Sequence, residues 1–213
     1  MTGEHYNAPM ISPLLEKLIA ISPKRFFPRN ALVIQEGDVS ETIYILLRGR
    51  VRAYSIGPDA KKITFAEYQA IELFGEMSLD GQPRSATVQA IELCECAVLN
   101  RALLRDFISR EPQFAFELIL KVISRARQAT DSARNLALLD VYGRLKVFLE
   151  TSPSTEFEGR RILLQRHTHL EIAARIGSSR EMVSKLIKDL ENGGYLSIEK
   201  NSRIGFVRIP DRW

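Results

Sequence analysis

The sequence predicts an α+β protein in which an antiparallel β-roll is followed by a long helix and a small helical domain ending in a β-hairpin. Three patterns predict this order. Short apolar alternations, broken by Gly, Pro, Asn and Asp, run from Phe26 to Leu99 and are typical of strands joined by turns. A heptad repeat begins after Glu111, which indicates a helix with one apolar seam. Two helix-start signals and two short apolar runs follow Thr168, as in a separate helical domain.

The composition is that of a globular protein. Of the 213 residues, 45% are hydrophobic and 26% are charged, which argues against a disordered or membrane protein. The longest apolar runs are much shorter than a membrane span and the N-terminus lacks a signal-peptide pattern, so we expect no membrane association and a cytoplasmic location. The two cysteines, Cys94 and Cys96, and the three histidines, His5, His167 and His169, lack metal-ligand spacing, so we expect no metal site.

The first domain is predicted to cover residues 1–110. A short helix is expected around Pro13–Ala20, and the strand candidates that follow it include Leu32–Ile34 and Tyr44–Leu46. The spacing of the turns between the strands is typical of a compact antiparallel roll or barrel.

The long helix is predicted to cover residues 111–139. Apolar residues recur along it at alternating spacings of four and three. These residues are Ala115, Ile119, Val122, Ala126, Ala129, Ala133 and Leu136. Because alanines let two helix backbones approach closely, we interpret this seam as the contact of a parallel homodimer. A neighbouring stripe of Phe116, Leu120 and Ile123 is expected to pack on the β-domain, and a helix packed only on its own domain is the alternative interpretation.

A third domain is predicted from residue 140 to residue 213, with a hinge around Leu139 and Asp140. The segment from Arg160 to Lys188 contains seven basic and two acidic residues, although the whole chain has a net charge of only +4. A basic cluster of this kind indicates a nucleic-acid-binding surface.

Two helices are expected to begin in this basic segment. Thr168–Glu171 and Ser178–Glu181 both have the form of a capping box, and Gly177 between them can supply the tight turn of a helix-turn-helix. The second helix is expected to end at Gly193-Gly194. Two apolar runs after it predict a hairpin wing, so the domain is interpreted as a winged helix-turn-helix.

The exposed face of the second helix carries chemistry that can read DNA. An arginine such as Arg180 can donate twice to guanine in the major groove, and Glu181 can accept from cytosine N4. The predicted DNA-contacting residues are Thr168, Ser178, Ser179, Arg180, Glu181, Ser184, Lys185 and Lys188. For a homodimer the expected partner is double-stranded DNA with palindromic half-sites about one helical turn apart.

A second constellation, in the β-rich half, predicts a ligand. Gly75 permits a sharp turn into a one-turn helix, and Glu76 is an acceptor suited to a ribose hydroxyl. Arg84 can fork onto a phosphate while Ser85 donates its hydroxyl. This set of residues would bind a cyclic nucleotide.

These residues resemble the cyclic-AMP receptor/fumarate-nitrate regulator superfamily of bacterial transcription regulators. The resemblance spans Gly37-Asp38, Phe74-Gly75-Glu76, Arg84-Ser85-Ala86, Asn135-Leu136-Ala137 and Ser179-Arg180-Glu181. It implies a cyclic-nucleotide-binding-like β-roll of the double-stranded β-helix type, a long dimerisation helix and a C-terminal winged helix-turn-helix. It also implies RNA polymerase as a partner.

The resemblance assigns roles to the ligand residues. It implies that Glu76 binds the ribose, that Arg84 and Ser85 bind the cyclic phosphate, and that Thr130 and Asp131 approach the base. The sequence departs from the family's cyclic-AMP receptor at Asp131, where that receptor has a serine, and in the stretch between Glu76 and Arg84, which is two residues shorter. Cyclic AMP is ranked first as effector, with cyclic GMP or another nucleotide as alternatives.

Two other functional hypotheses are retained. The first is a constitutive or other-effector DNA-binding regulator of the same superfamily with a vestigial nucleotide pocket. The second is an enzyme such as a cyclic-nucleotide hydrolase, for which the sequence offers no metal set, nucleophile–base pair or paired carboxylates. We therefore predict a non-enzymatic regulator without catalytic residues. The cysteine cluster used by the iron–sulfur branch of the superfamily is missing near the N-terminus.

Overall fold

The structure is a computed structural model that describes residues 11–199 and 201–212. The chain divides into two compact units. The first contains the residues up to Ser55 and Thr64–Ala126, and the second contains Ile56–Ile63 and the residues from Arg127 onward. The division therefore falls within the long helix. The domain limits at residues 110 and 139 stay predictions.

The first unit is a β-roll of two four-stranded sheets. Its strands are β1 (Lys24–Phe27), β2 (Leu32–Ile34), β3 (Ile43–Arg48), β4 (Val51–Ile56), β5 (Lys62–Tyr68), β6 (Glu72–Phe74), β7 (Thr87–Ala90) and β8 (Cys94–Leu99). One sheet has the strand order β1-β8-β3-β6 and the other has the order β2-β7-β4-β5. Neighbouring strands such as β3 and β8 pair antiparallel, which confirms the predicted antiparallel roll.

The core of the roll lies between its two sheets. Phe74 of β6 and Val88 of β7 belong to the same buried cluster, and the ring of Phe74 stacks on that of Tyr44 with their centroids 5.2 Å apart. Both cysteines of β8 are buried within this cluster as free thiols. Burial raises the pKa of Cys96 to about 12, so this sulfur is held as a neutral, apolar core atom.

Three helices cover the outer face of the first sheet: α1 (Pro13–Ala20), α2 (Arg101–Arg110) and the start of α3 (Gln113–Leu138). The prediction of α1 is confirmed, but α2 was not predicted. Asn100 caps α2 by accepting from the backbone N–H of Leu103, and only Leu104 and Phe107 of this helix are buried. Two buried apolar residues among ten give a periodic pattern that is too short to identify a helix from the sequence, whereas the repeat in α3 is much longer.

The long helix α3 covers 26 residues, and it packs on the roll through a different face from the predicted one. Phe114 is buried and Leu118 packs against the same cluster. In contrast, Phe116, Leu120 and Ile123 are 61%, 51% and 45% exposed, so the expectation that they pack on the β-domain is wrong. No helix in the described part of the chain is long and apolar enough to cross a membrane.

The second unit contains a helical core and a small sheet. Its elements after α3 are α4 (Val141–Thr151), β9 (Ser154–Phe157), β10 (Arg160–Leu163), α5 (His169–Ile176), α6 (Arg180–Asn192), β11 (Leu196–Ile198) and β12 (Ile204–Phe206). The sheet order is β11-β12-β10-β9. β11 and β12 pair antiparallel, so the predicted hairpin is present and shorter than expected. The buried stripe of α6 is Val183, Leu186, Ile187 and Leu190.

The two helices of the helix-turn-helix have different N-caps. Thr168 and Glu171 form the predicted capping box at the start of α5. The second predicted box is wrong, because Ser179, and not Ser178, accepts from the backbone N–H of Met182. The N–H of Ser178 donates to Ala173 O at 3.0 Å, so Ser178 still belongs to the C-terminal motif of α5 and α6 begins one residue later.

The junction between α3 and α4 is braced by Arg144. Its Nε donates to Ile176 O at 2.7 Å, its Nη1 donates to Leu139 O at 2.7 Å, and its Nη2 reaches Gly177 O at 3.5 Å. One side chain thus ties the predicted hinge at Leu139 and Asp140 to the turn between α5 and α6.

Gly177 is the residue on which this turn depends. Its φ is +63°, and a Cβ there would lie 2.9 Å from Leu136 Cδ2. We expect Gly177→Ala to lower the free energy of unfolding of the second unit by about 1–2 kcal/mol through backbone strain alone, and further through the contact with Leu136. Urea denaturation followed by circular dichroism measures this loss.

Gly194→Ala is the matched control. Gly194 has a φ of +74° but no atom within 4 Å of its would-be Cβ, so this change has only the strain cost. Equal losses in the two variants would contradict the packing of Leu136 on the turn.

Candidate functional site

A small cavity in the first unit brings together four of the predicted ligand residues. It measures about 50 Å³. It is lined by Ile34, Ala53, Tyr68, Phe74, Gly75, Glu76, Met77, Ser78, Arg84, Ser85, Ala86 and Val88. The predicted ligand residues Gly75, Glu76, Arg84 and Ser85 therefore line one cavity together with apolar residues from the two sheets.

Gly75 makes the predicted sharp turn. Its φ is +84°, and it precedes a single 3-10 turn over Glu76–Asp80. A Cβ on Gly75 would lie 3.1 Å from Arg84 Nη1 and 3.2 Å from Thr42 O. Both the backbone conformation and the close approach of Arg84 therefore require glycine at this position.

Arg84 is directed into the protein. Its side chain is buried, with a relative exposure of 6%. Nη1 donates to Gly75 O at 2.8 Å and to Ser78 Oγ at 2.9 Å. Nη2 donates to Ser40 Oγ at 3.1 Å and to Thr42 O. Four uncharged acceptors thus surround this cation.

The electrostatic state of Arg84 follows from that environment. Burial lowers its pKa, and the negative charges of Asp38 and Glu76 partly oppose this effect. Within the described part of the chain, no carboxylate forms an ion pair with the guanidinium. A buried cation that is hydrogen-bonded but lacks an ion-pair partner is a favourable place for an anion.

Glu76 is paired with an arginine of α3. Its Oε2 lies 2.5 Å from Arg125 Nη1, and the Glu76 side chain is only 10% exposed. Arg125 also donates to Leu73 O, and its guanidinium carbon lies 4.7 Å from the centre of the Tyr68 ring. Burial alone would lower the pKa of Arg125, but the hydrogen bond to Glu76 and the negative charges of Glu76 and Glu72 raise it.

Arg125 was not predicted from the sequence. It follows the buried Phe114 and the partly buried Leu118 at spacings of eleven and seven residues, which places all three on the side of α3 that faces the roll. A charged residue on the apolar face of an amphipathic helix is the pattern that would have identified it.

The other predicted ligand residues are more exposed. Ser85 Oγ lies 3.3 Å from Met77 Sδ and faces solvent. Thr130 and Asp131 are exposed on α3 in the second unit, and Asp131 pairs with Arg134 at 2.8 Å. The roles of all six predicted ligand residues stay predictions.

The predicted DNA-contacting residues lie on α6 and at the start of α5. Most of them are exposed, namely Thr168, Ser179, Arg180, Glu181, Lys185 and Lys188. Ser178 is partly buried in the turn. Ser184 is also partly buried, because it faces α5, where its Oγ lies 2.7 Å from His169 Nδ1. The sequence alone favours a solvated side chain for His169, whereas the structure gives this ring a partner on the neighbouring helix.

The wing is fixed to the rest of the small sheet by a polar cluster. Arg160 of β10 donates to Ser197 Oγ and pairs with Glu199 Oε1 at 2.8 Å. Ser197 also donates to Glu199 at 2.9 Å. One of the seven basic residues of the segment is therefore neutralised by an acidic neighbour, whereas Arg166 and the three cations of α6 are exposed.

Two family models match the two halves of the chain. Residues 24–111 match the cyclic nucleotide-binding domain, which includes the cavity and its arginine. Residues 143–212 match the Crp-like helix-turn-helix domain, which includes α5, α6 and the wing.

Two relatives match nearly the whole length of the chain. The cAMP-activated global transcriptional regulator CRP of Pasteurella multocida is 30% identical over 198 residues, which cover 90% of this chain and 93% of the relative. The cAMP-activated global transcriptional regulator Vfr of Pseudomonas aeruginosa is 28% identical over 202 residues, covering 90% and 93%.

A solved structure shows the same fold. The c-di-GMP responsive global regulator CLP of Xanthomonas campestris matches with a TM-score of 0.80 at 23% identity, and the match covers 92% of this chain and 99% of that one. These matches span both predicted parts of the chain, the β-roll and the helix-turn-helix domain. This chain belongs to the CRP/FNR superfamily of transcription regulators.

Proposed function

We propose that this chain is a homodimeric transcription regulator that binds palindromic double-stranded DNA under the control of a small effector. The observation that carries the DNA-binding part is the exposed face of α6, where Arg180, Lys185 and Lys188 lie beside a turn fixed by Gly177. Three cations on one exposed helix face match the anionic major groove. RNA polymerase is the proposed protein partner, and the proposed location is the cytoplasm.

The homodimer is supported by the uncovered apolar surface of α3. Phe116, Ile119 and Leu120 are each at least 51% exposed, and Val122 and Ile123 are each 45% exposed. Apolar surface of this extent on consecutive turns of one helix is typical of an interface. The alanines Ala126 and Ala129 follow on the predicted seam, and both are exposed.

The effector is proposed to be a cyclic nucleotide, with cyclic AMP ahead of cyclic GMP. Arg84 and Ser85 would hold the phosphate, Glu76 would hold the ribose, and Thr130 with Asp131 would meet the base. The buried charge of Arg84 supports an anionic ligand, because a phosphate offers stronger charge-assisted hydrogen bonds than carbonyls and hydroxyls do. The two cAMP-activated relatives support the same ligand class.

The described state has to open before it can accept a nucleotide. The cavity of about 50 Å³ is much smaller than the roughly 300–1,000 Å³ of common ligand pockets. Arg84 has to leave some of its four acceptors, and Glu76 has to share or leave Arg125. Effector binding would thus exchange internal contacts for ligand contacts. It would control DNA binding only if the DNA-competent and DNA-incompetent states of the protein differ in their affinity for the effector.

The alternative function is a regulator of the same family with a vestigial pocket. The observation that favours it is the full use of both terminal nitrogens of Arg84 by protein acceptors. In that case Arg84 would only hold the β-roll together. DNA binding in the absence of any nucleotide, with no response to one, is the expected behaviour of such a protein.

The effector proposal is tested by calorimetry with cyclic AMP and cyclic GMP. We expect the parent protein to bind cyclic AMP more tightly, and Arg84→Leu to lose binding of both nucleotides. Arg84→Leu should also lower the free energy of unfolding of the ligand-free protein. A buried acceptor without its partner costs about 1–3 kcal/mol, so a total loss of about 2 kcal/mol or more is expected.

Two variants serve as controls for this experiment. Arg84→Lys keeps the charge with fewer donors, so it should lose less stability than Arg84→Leu. Asp131→Ser should change the ratio of the two affinities, against cyclic GMP, because a carboxylate can accept from both N–H groups of guanine. No heat with either nucleotide, combined with DNA binding by the parent, would favour the vestigial pocket.

The DNA-binding proposal is tested with a binding site selected from random duplexes. We expect Arg180→Ala to lose about 1–3 kcal/mol of discrimination at one base pair of each half-site. Lys188→Ala should weaken binding to every sequence and reduce the salt slope by about 1 for each phosphate that is no longer neutralised. Fluorescence anisotropy over a salt series measures both effects. If Arg180→Ala discriminated among sequences as well as the parent, α6 would not be the reading helix.

The homodimer is tested by Ala129→Glu. Two carboxylates brought together at a close-packed seam are costly, so we expect this variant to be largely monomeric by light scattering. Gln128→Glu adds the same charge on a different face of α3 and should stay dimeric. A fully dimeric Ala129→Glu protein would remove Ala129 from the interface.

A further inference from the structure

The contact between His169 and Ser184 joins the two helices of the helix-turn-helix. His169 is the first residue of α5, Ser184 is in the middle of α6, and 2.7 Å separates Nδ1 from Oγ. We propose that His169 is a ligand of the DNA backbone whose ring is positioned by Ser184, and that DNA binding by this chain is therefore proton-linked. The inference rests on the proposed DNA-binding function and extends it to a residue outside the predicted contact set.

The geometry leaves the outer nitrogen of the ring available. Nδ1 faces α6, and His169 is partly exposed. In the part of the chain that the structure describes, Nε2 makes no hydrogen bond. Thr168, which precedes the ring, and Arg180, which lies one turn before Ser184 on α6, are both exposed. The ring therefore belongs to the surface that carries the predicted DNA contacts.

A serine is suited to hold this ring in both of its charge states. A hydroxyl can donate to a neutral Nδ1 or accept from a protonated one, so the same 2.7 Å contact serves the imidazole and the imidazolium. When Ser184 donates to Nδ1, the proton of the neutral ring is on Nε2. Phosphate oxygens only accept hydrogen bonds, so this tautomer gives them the donor that they need.

The two helices that carry the pair contain charged residues of both signs. On α5 these are Glu171 and Arg175, and on α6 they are Arg180, Glu181, Lys185, Lys188, Asp189 and Glu191. Glu171 is occupied by Thr168, whose backbone N–H and hydroxyl it binds at 2.9 and 3.0 Å. Glu181 is exposed one turn before Ser184 on α6. A DNA phosphate placed beside the ring favours the charged imidazolium, so protonation and DNA binding should promote each other.

The role of Ser184 is consequently positional. Without its hydroxyl the neutral ring can place its proton on Nδ1, which leaves a lone pair on Nε2 facing the phosphate. Protonation removes this ambiguity, because both nitrogens of an imidazolium donate. Loss of Ser184 should thus weaken DNA binding more at pH 8 than at pH 5.5, whereas a purely structural defect would not depend on pH in this direction.

The experiment measures the salt dependence of binding to a non-specific duplex at pH 8.0 and at pH 5.5. Histidine is the side chain that gains charge over this range, and each additional phosphate contact steepens the slope of log K against log salt by about 0.9. For a dimer we therefore expect the parent slope to steepen by up to about 1.8 on acidification. His169→Gln keeps a hydrogen-bond donor but does not titrate, so its slope should not change with pH.

The other two histidines are the matched controls. The ring of His167 lies edge-on to Phe148 at 5.3 Å, and His5 lies outside the described residues. His167→Gln and His5→Gln should keep the parent's pH effect. Ser184→Ala should lose more affinity at pH 8.0 than at pH 5.5, and nitrogen-detected NMR of the ring should find the proton on Nε2 in the parent and shared between both nitrogens in Ser184→Ala.

The outcomes separate this inference from the function on which it rests. A parent that binds no duplex at either pH contradicts the proposed function and this inference with it. A parent that binds DNA with a slope independent of pH, or a His169→Gln protein that keeps the pH effect, overturns the inference alone. Equal losses of affinity for Ser184→Ala at both pH values would overturn the positioning role of Ser184.

Discussion

The first unit depends on how one buried arginine is satisfied. The guanidinium of Arg84 connects the loop that carries Ser40 and Thr42 to the turn that carries Gly75 and Ser78. Both segments border the cavity or hold its arginine. The shape of the cavity therefore depends on the hydrogen bonds that Arg84 makes. A buried charge that is bound only by dipoles is stable because several donors are satisfied at once. Because the described acceptors are uncharged, the surroundings of Arg84 still favour a negatively charged group.

The site has a second arginine with a different environment. Arg125 is directed from α3 onto a carboxylate and an aromatic face, whereas the described hydrogen bonds of Arg84 all end on uncharged acceptors. The two cations therefore have different electrostatic roles beside the cavity. One belongs to an internal ion pair that holds the first part of α3 against the roll, and the other keeps its charge available beside the cavity.

Local features of the fold could be predicted from the sequence because their causes are local. The capping box at Thr168 and the positive φ of Gly177 each depend on residues a few positions apart. The predicted packing of Phe116 and the predicted cap at Ser178 were wrong, and the ion pair of Arg125 was not predicted. Each of these depends on which face of a helix meets the rest of the fold. Residues of the cavity could be grouped by motif, but the direction of a flexible guanidinium is decided by acceptors from segments distant in sequence.

The packing of Leu136 against the turn at Gly177, together with the bonds of Arg144 across the α3–α4 junction, has a consequence for how such regulators diversify. The last turns of α3 are part of the same folded body as the DNA-reading helices. Recombination that joined a new sensory module at residue 140 would remove the side chain that covers the turn. A functional exchange of modules has to carry Leu136 along with the reading domain, which places the permissible crossover point within the helix, upstream of that leucine.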